Sequence, residues 1–438
     1  MKVRDILEID YLILLPVIIL VVIGVMFIYS SGVTSTGEMV SNEYIKQIVW
    51  AAIGLIAAVV LAMVNYRRFY KISVYMFLVV LIPLVYTLLF GRMAYGTRWL
   101  RIGAFGLQAS EFAKLTTIIF LARYLTDTRL GGNTFVRFIV SCMIVFVPMG
   151  IVFIQPDLGT SLVFIPILLS MTYVAGISMR YIVFLISCIC LTGFLTVLPL
   201  WQTYILRKSV YALVVLTNPR LIAIVVLAFV IIIAIALFGF LKYKKRYFFW
   251  MVYAFTIVVL SLGASYAARA LLKNYQMMRL IVFLDPNIDP RGAGWHIIQS
   301  VTAIGSGGFT GQGYLKGTQS HYRFLPEQST DFIFSIFSEE TGFIGGIVVF
   351  ILFLMICLRL LRIIKITSDP FAAYICAGLA GMFSFHFIIN VGMTMGIMPI
   401  TGIPLLFISY GGSAMISAMA GIGLALSIHI RRYIPPAL

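Results

Sequence analysis

Apolar runs about as long as a bilayer is thick follow one another along this chain, separated by short polar stretches. They fall at 11–31, 46–64, 72–90, 112–126, 138–155, 158–176, 181–200, 221–241, 249–268, 335–358, 372–391 and 404–428. A run of roughly 20 apolar residues spans a hydrocarbon core as one helix. Only helices or closed barrels satisfy their backbone groups there. The pattern predicts an all-α polytopic membrane protein with about 12 transmembrane helices. Two runs are less regular: 112–126 starts polar, and 404–428 starts in a Gly/Pro-rich stretch. The first run lacks a small-residue cleavage site and is followed by further spans, so it reads as a retained anchor.

Composition points the same way. The chain is 62% hydrophobic and 11% charged, with a mean hydropathy of +1.06. Soluble domains are about a quarter charged, which excludes a water-soluble globular enzyme. Neither a low-complexity tract nor a long linker interrupts the 438 residues, and 1–438 reads as a single membrane domain. A net charge of +17 would suggest nucleic acid on a soluble protein. Here 18 of the 32 lysines and arginines crowd into short loops at 1–10, 65–71, 123–137, 177–181, 242–248, 359–371 and 429–438. The positive-inside rule puts these loops and both termini in the cytoplasm, and no nucleic-acid partner is expected. Acids concentrate on the other side. The loops at 91–115 and 269–334 are long and mix acids, bases, aromatics and amides, so chemistry is expected on the extracytoplasmic face.

The candidate chemistry lies in those loops and at helix breaks. Asp285 and Asp289 precede prolines in LDPNIDPRGAGWHIIQS, a turn-forming context. A carboxylate held on such a turn beside apolar surface is suited to a raised pKa and a general-base role; the alternative is a pair of Asx-turns. The glycine-rich segment 301–331 lacks the Gly-Lys-Ser/Thr order of a phosphate loop. It reads instead as a loop of close backbone approach carrying Gln319, Ser320, Arg323 and Glu327, or as a plain connector. At 92–114 stand Arg98, Trp99, Arg101, Glu111 and Lys114, with Ser110 as the expected N-cap of the next helix. Glu111 and Lys114, at i and i+3, share a face. An ion pair at the mouth of a span marks a functional site unless it only fixes packing. Asp157, in the break Gln155-Pro156-Asp157-Leu158-Gly159-Thr160, either lines a cavity or caps the following helix. The five cysteines fall inside apolar runs and read as packing residues. The four histidines have no metal-ligand spacing, so no structural metal site is expected, and His386 reads as a hydrogen-bonded interhelical residue.

Together these segments resemble the SEDS family (shape, elongation, division and sporulation) of bacterial cell-wall proteins. The resemblance rests on Gly96-Thr-Arg98-Trp99-Leu100, Gln108-Ala-Ser110-Glu111-Phe-Ala-Lys114, Gln155-Pro156-Asp157-Leu158-Gly159-Thr160 and Asp289-Pro290-Arg-Gly292-Ala-Gly294-Trp-His-Ile-Ile-Gln299-Ser300. Gly317-Thr318-Gln319-Ser320, Phe324-Leu325-Pro326-Glu327-Gln328 and Thr401-Gly402-Ile403-Pro404 leading to Ser409-Tyr410-Gly411-Gly412-Ser413 complete it. Gly-Thr-Gln-Ser followed by Phe-Leu-Pro-Glu-Gln is the form of the elongation members rather than the division members. Leu406 and Ala414 stand where the family pattern has Pro and Ser. The likeness covers about 1–200 and 270–438. Between them, at about 201–268, an inserted pair of spans would raise the usual ten to twelve.

The resemblance implies a peptidoglycan glycosyltransferase of the bacterial cytoplasmic membrane that polymerises lipid II on its outer face and releases undecaprenyl diphosphate. It implies Asp289 as the catalytic base. Substrate contacts are expected at Arg98, Trp99, Arg101, Glu111, Lys114, Asp157, Gln299, Ser300, Gln319 and Glu327. The expected partners are a class B penicillin-binding protein, the elongation machinery and membrane lipids. No cofactor is required by the sequence, though a divalent cation (Mg2+ or Mn2+) could share the work on the diphosphate. The rival readings are a lipid II flippase, which broken helices would also suit, and a non-enzymatic scaffold.

Overall fold

The computed structural model describes residues 10–90, 98–102, 105–208, 210–325 and 327–432; Gly96, Thr97 and Pro326 of the motifs above lie outside them. In chain order the helices are α1 (Tyr11–Gly32), α2 (Glu43–Met63), α3 (Arg67–Phe90), α4 (Ala109–Asp127), α5 (Thr134–Ile154), α6 (Leu158–Leu162), α7 (Phe164–Val174), α8 (Met179–Trp201) and α9 (Tyr211–Thr217). They continue with α10 (Pro219–Tyr243), α11 (Arg246–Leu271), α12 (Asn274–Leu284), α13 (Ala293–Gly307), α14 (Thr318–His321), α15 (Ile333–Ile366), α16 (Pro370–Thr394) and α17 (Gly412–Ile430). Before α4 a small antiparallel hairpin, β1 (Leu100–Ile102) and β2 (Phe105–Leu107), pairs Leu100 with Leu107.

Ten helices among the described residues are long and apolar enough to cross a membrane: α1, α2, α3, α5, α8, α10, α11, α15, α16 and α17. The protein is an all-α multi-pass membrane protein. Of the two remaining apolar runs, α4 carries Glu111, Lys114 and Arg123 along its length, and Leu158–Val174 is a shorter segment divided at Val163.

Helix starts follow side-chain chemistry. Asp10, Asn133, Asp157, Asn218 and Asp369 each accept a hydrogen bond from a backbone N–H of the first turn of α1, α5, α6, α10 and α16. Pro219 and Pro370 occupy the first helical position, where no N–H is needed. The last helix begins at Gly412, eight residues later than the apolar run. Pro404 and the left-handed Gly402 (φ 70°) and Phe407 (φ 69°) keep the preceding segment out of helical geometry.

The chain forms two compact units. The first holds residues up to Ile177 and again from His296, with α16 and α17 as its most buried spans. Lipid tails give helices no hydrophobic reason to associate, so close approach through small residues does the work. A methyl group added at Gly423 of α17 would strike the backbone of Ala58 in α2. One added at Gly381 of α16 would sit 2.7 Å from the Pro166 carbonyl of α7. The second unit, Ser178–Trp295, packs α8, α10 and α11 through Phe184–Tyr253 and Phe229–Phe255 ring contacts. Only 11% of the apolar window of α10 is buried, so lipid must cover most of its circumference.

Candidate functional site

The start of α4 is where the first unit collects charge. Gln108, not Ser110, holds the N-cap position, and Ser110 lies inside the first turn. The reason is tertiary: the Gln108 N–H donates to Ser413 Oγ (2.9 Å) and its side-chain amide to Asp157 Oδ2 (2.9 Å), which fixes it in extended backbone just before the helix. One turn on, Glu111 and Lys114 form an ion pair at 2.8 Å, with side chains only 3% and 1% exposed. The Lys114 ammonium also contacts His386 Nε2 of α16 at 3.1 Å, and the Glu111 carbonyl accepts from Ser417 of α17. Removing two charges from water is costly unless they pair closely and gain further hydrogen bonds, and here the pair is close and the ammonium has a second partner in His386.

Asp157 caps the following helix, one of the two alternatives open to it, and holds two further groups. Its Oδ1 caps α6 through the Thr160 N–H at 3.2 Å. The same carboxylate accepts from Gln108 and lies 3.9 Å from the Arg98 guanidinium. Arg98 also donates to the carbonyls of Gln155 (3.3 Å) and Pro156. Trp99, 45% exposed, lies across Gly106, where an added methyl would meet the indole at 3.3 Å. Arg101 is in β1 opposite Gly106, and its side chain lies outside the described part. The first unit thus gathers Arg98, Gln108, Asp157, Glu111, Lys114 and His386 by direct contact or through one turn of α4.

Asp289 belongs to the second unit. Asp285 makes the Asx-turn, accepting from the Asn287 N–H at 3.0 Å and opening a short 3-10 turn, Pro286–Ile288. Asp289 follows, and its Oδ2 accepts from the Ala293 N–H at 3.0 Å. Its carbonyl receives the N–H groups of Gly292 (3.2 Å) and Gly294 (3.0 Å). A methyl at Gly292 would collide with the Asp289 carboxylate, and one at Gly294 with the carbonyls of Pro286 and Asp289. The Asp-Pro-Arg-Gly-Ala-Gly sequence is therefore a turn wound so tightly around one carboxylate that its two glycines are sterically required. Oδ1 has no hydrogen-bond partner among the described residues, which leaves a lone pair for a ligand.

Ser300, fully buried on α13, donates to the Thr394 carbonyl (2.7 Å) and pairs with Ser335 (2.6 Å), which ties α13 to α15 and α16. Gln299 is half-buried on the same helix. Glu327 is exposed and accepts from Thr330 at 3.3 Å. Gln319 leads to two further acids, Glu339 and Glu340. Its backbone N–H donates to Glu339 (2.7 Å), which also accepts from Ser320 N (3.2 Å) and Thr318 Oγ1 (3.2 Å). Neighbouring Glu340 accepts from Ser30 and the Leu315 N–H and lies 3.7 Å from His321. These two acids clamp the 315–321 segment onto α15. Two adjacent carboxylates inside an apolar run were the available signal, because intramembrane acids rarely lack a role. Glu339→Ala is expected to speed tryptic cleavage at Lys316 and Arg323 about tenfold or more in a limited-proteolysis time course. Hydrogen bonds to a charged acceptor are worth about 1.5–3 kcal/mol each, and their loss raises local opening.

The family FTSW_RODA_SPOVE, cell cycle protein, matches residues 10–209 and 200–434. Peptidoglycan glycosyltransferase RodA of Treponema pallidum is 47% identical over 99% of this chain and 100% of its own length. Peptidoglycan glycosyltransferase MrdB of Escherichia coli is 30% identical over 98% and 95%. Among solved structures, a chain of a peptidoglycan synthase complex that coordinates polymerization and crosslinking superposes with TM-score 0.66. It is 24% identical, over 98% of this chain and 99% of that one. The Thermus thermophilus rod shape determining protein RodA gives TM-score 0.58 at 20% identity, with 98% of each chain covered.

Proposed function

The chain belongs to the FTSW_RODA_SPOVE family of cell cycle proteins and is a peptidoglycan glycosyltransferase, and on that premise we propose how its residues carry the reaction. The substrate is lipid II, polymerised at the extracytoplasmic face of the bacterial cytoplasmic membrane. Asp289 is the general base, removing the proton from the 4-hydroxyl of the acceptor GlcNAc as that oxygen attacks the anomeric carbon of the donor MurNAc. The α-linked undecaprenyl diphosphate leaves, and a β-1,4 bond forms with inversion. The observation that carries this assignment is the Asp289 turn, which holds one carboxylate oxygen on the backbone and leaves the other open. A base positioned by rigid backbone, not by a flexible side-chain contact, fits what proton transfer needs.

Negative charge builds on the departing diphosphate, so fixed cations must meet it. Arg98 and Lys114 supply them. Asp157 and the carbonyls of Gln155 and Pro156 orient the first, while Glu111 orients the second. Trp99 offers an indole face to sugar or lipid at the interface. Among the described residues no three His, Cys, Asp or Glu side chains gather into a metal site. The strands made here would pass to a class B penicillin-binding protein of the elongation machinery.

Two measurements test the reading. Purified protein with lipid II in detergent micelles is expected to give polymer, with the penicillin-binding partner raising the rate. Micelles have no second leaflet, so a flippase would give none, and no polymer even with the partner would sink the proposal. Gly294→Ala is expected to lower the rate at least tenfold while the helical circular-dichroism signal stays unchanged. The clash lies beneath the catalytic carboxylate, and a misplaced reacting group costs rate steeply.

A further inference from the structure

Among the buried titratable side chains outside the mechanism, His386 touches a group that the mechanism uses. His386 is 1% exposed on α16, where His386, Asn390 and Thr394 follow at i, i+4 and i+8 on one face, the last two fully buried. Each holds a different part of the surrounding structure. Asn390 donates to the carbonyls of Asp331 (3.0 Å) and Ile403 (2.8 Å), and the Thr394 carbonyl takes the Ser300 hydroxyl. His386 bridges the Pro404 carbonyl, 3.0 Å from Nδ1, and the Lys114 ammonium, 3.1 Å from Nε2.

The acceptor at one end settles the proton at the other. A carbonyl oxygen can only accept, so Nδ1 carries the hydrogen, and in a neutral imidazole the lone pair is then on Nε2. Lys114 must donate to it. Its ammonium therefore commits one proton to Glu111, one to His386, and keeps one. We propose that His386 is a positioning residue for the glycosyl transfer: it holds the Lys114 ammonium in place, and anchors it through Pro404 to the segment before α17. A lysine stem has four rotatable bonds, and a single contact to Glu111 would leave the ammonium free to swing about that carboxylate. The second contact removes that freedom. This rests on the reading of Lys114 as a cation for the leaving diphosphate.

The test is a double-mutant cycle on the full chain, read as lipid II polymerisation in micelles for wild type, His386→Leu, Lys114→Met and the double variant, each checked for monodispersity. His386→Leu is expected to lower kcat about 10- to 100-fold, the worth of one hydrogen bond to a charged group, with KM little changed. The double variant should be no slower than Lys114→Met alone, because His386 acts only through Lys114. Multiplying effects, or full activity in His386→Leu, would overturn the inference. Full activity in Lys114→Met would instead remove the reading of Lys114 on which it rests. Should His386→Leu fail to fold, or Lys114→Met fall below detection, His386→Gln and His386→Asn decide. The glutamine amide reaches the place of Nε2 and the asparagine amide that of Nδ1, so glutamine should retain more activity. Equal or reversed activities would overturn the proposal.

Discussion

Asp289→Ala is expected to reduce strand polymerisation by about 10²–10⁴-fold, the usual worth of a positioned general base, while leaving the purified protein folded and monodisperse. The loss should fall on the chemical step. Among the described residues the side chain's hydrogen bond is to the Ala293 N–H of its own turn, so its removal disturbs one hydrogen bond at the start of α13. Asp289→Asn sharpens the test. The amide oxygen can still accept from the Ala293 N–H, so the turn is kept, yet the group can no longer take a proton at neutral pH. It should be nearly as inactive as the alanine variant. An asparagine variant at wild-type rate would leave the enzyme its activity and take Asp289 out of the proton transfer. The gel or chromatographic assay that resolves lipid II from polymer reads both variants directly.

The second large effect is expected at the Glu111–Lys114 pair, and there stability and activity separate. Lys114→Met leaves the Glu111 carboxylate buried without its cation, which typically costs about 3–5 kcal/mol, a large part of a stability of about 5–15 kcal/mol. The variant should show a clear fall in Tm in detergent and lose polymerisation. Replacing both partners, Glu111→Leu with Lys114→Met, removes the uncompensated charge, and such exchanges of a buried pair for apolar groups are often neutral or stabilising. Tm should therefore recover while polymerisation does not, because in the proposed mechanism Lys114 is a cation for the leaving diphosphate. Recovery of both would show that the pair only fixes packing, and Arg98 would then carry the leaving-group charge by itself.

Much of this protein is written in the one-dimensional pattern. The apolar runs became helices almost where they were drawn, because a bilayer-spanning segment must satisfy its backbone internally and few other solutions exist. Asp10, Asn133, Asp157, Asn218 and Asp369 start helices as their local chemistry dictates. The Asp289 turn was legible too, since two Asp-Pro steps and two closely spaced glycines constrain the backbone within a few residues.

What sequence could not decide were the contacts made at long range. Local propensity makes Ser110 the cap, but Ser413, 305 positions from Gln108, and Asp157 fix the start of α4 instead. Glu339 and Glu340 were visible as acids near a helix end, yet their task, clamping a glycine-rich segment, depends on Gly311 fitting against the Glu340 carbonyl and on Gly342 turning left-handed within α15. His386 looked like an interhelical hydrogen bonder, and only packing showed that its partners are Lys114, 272 residues away, and Pro404. Local order is set by torsional preference and by solvent over a few residues, which a sequence displays. A buried charge is stable only where several distant segments supply its hydrogen bonds at once, and that is a property of the packed chain.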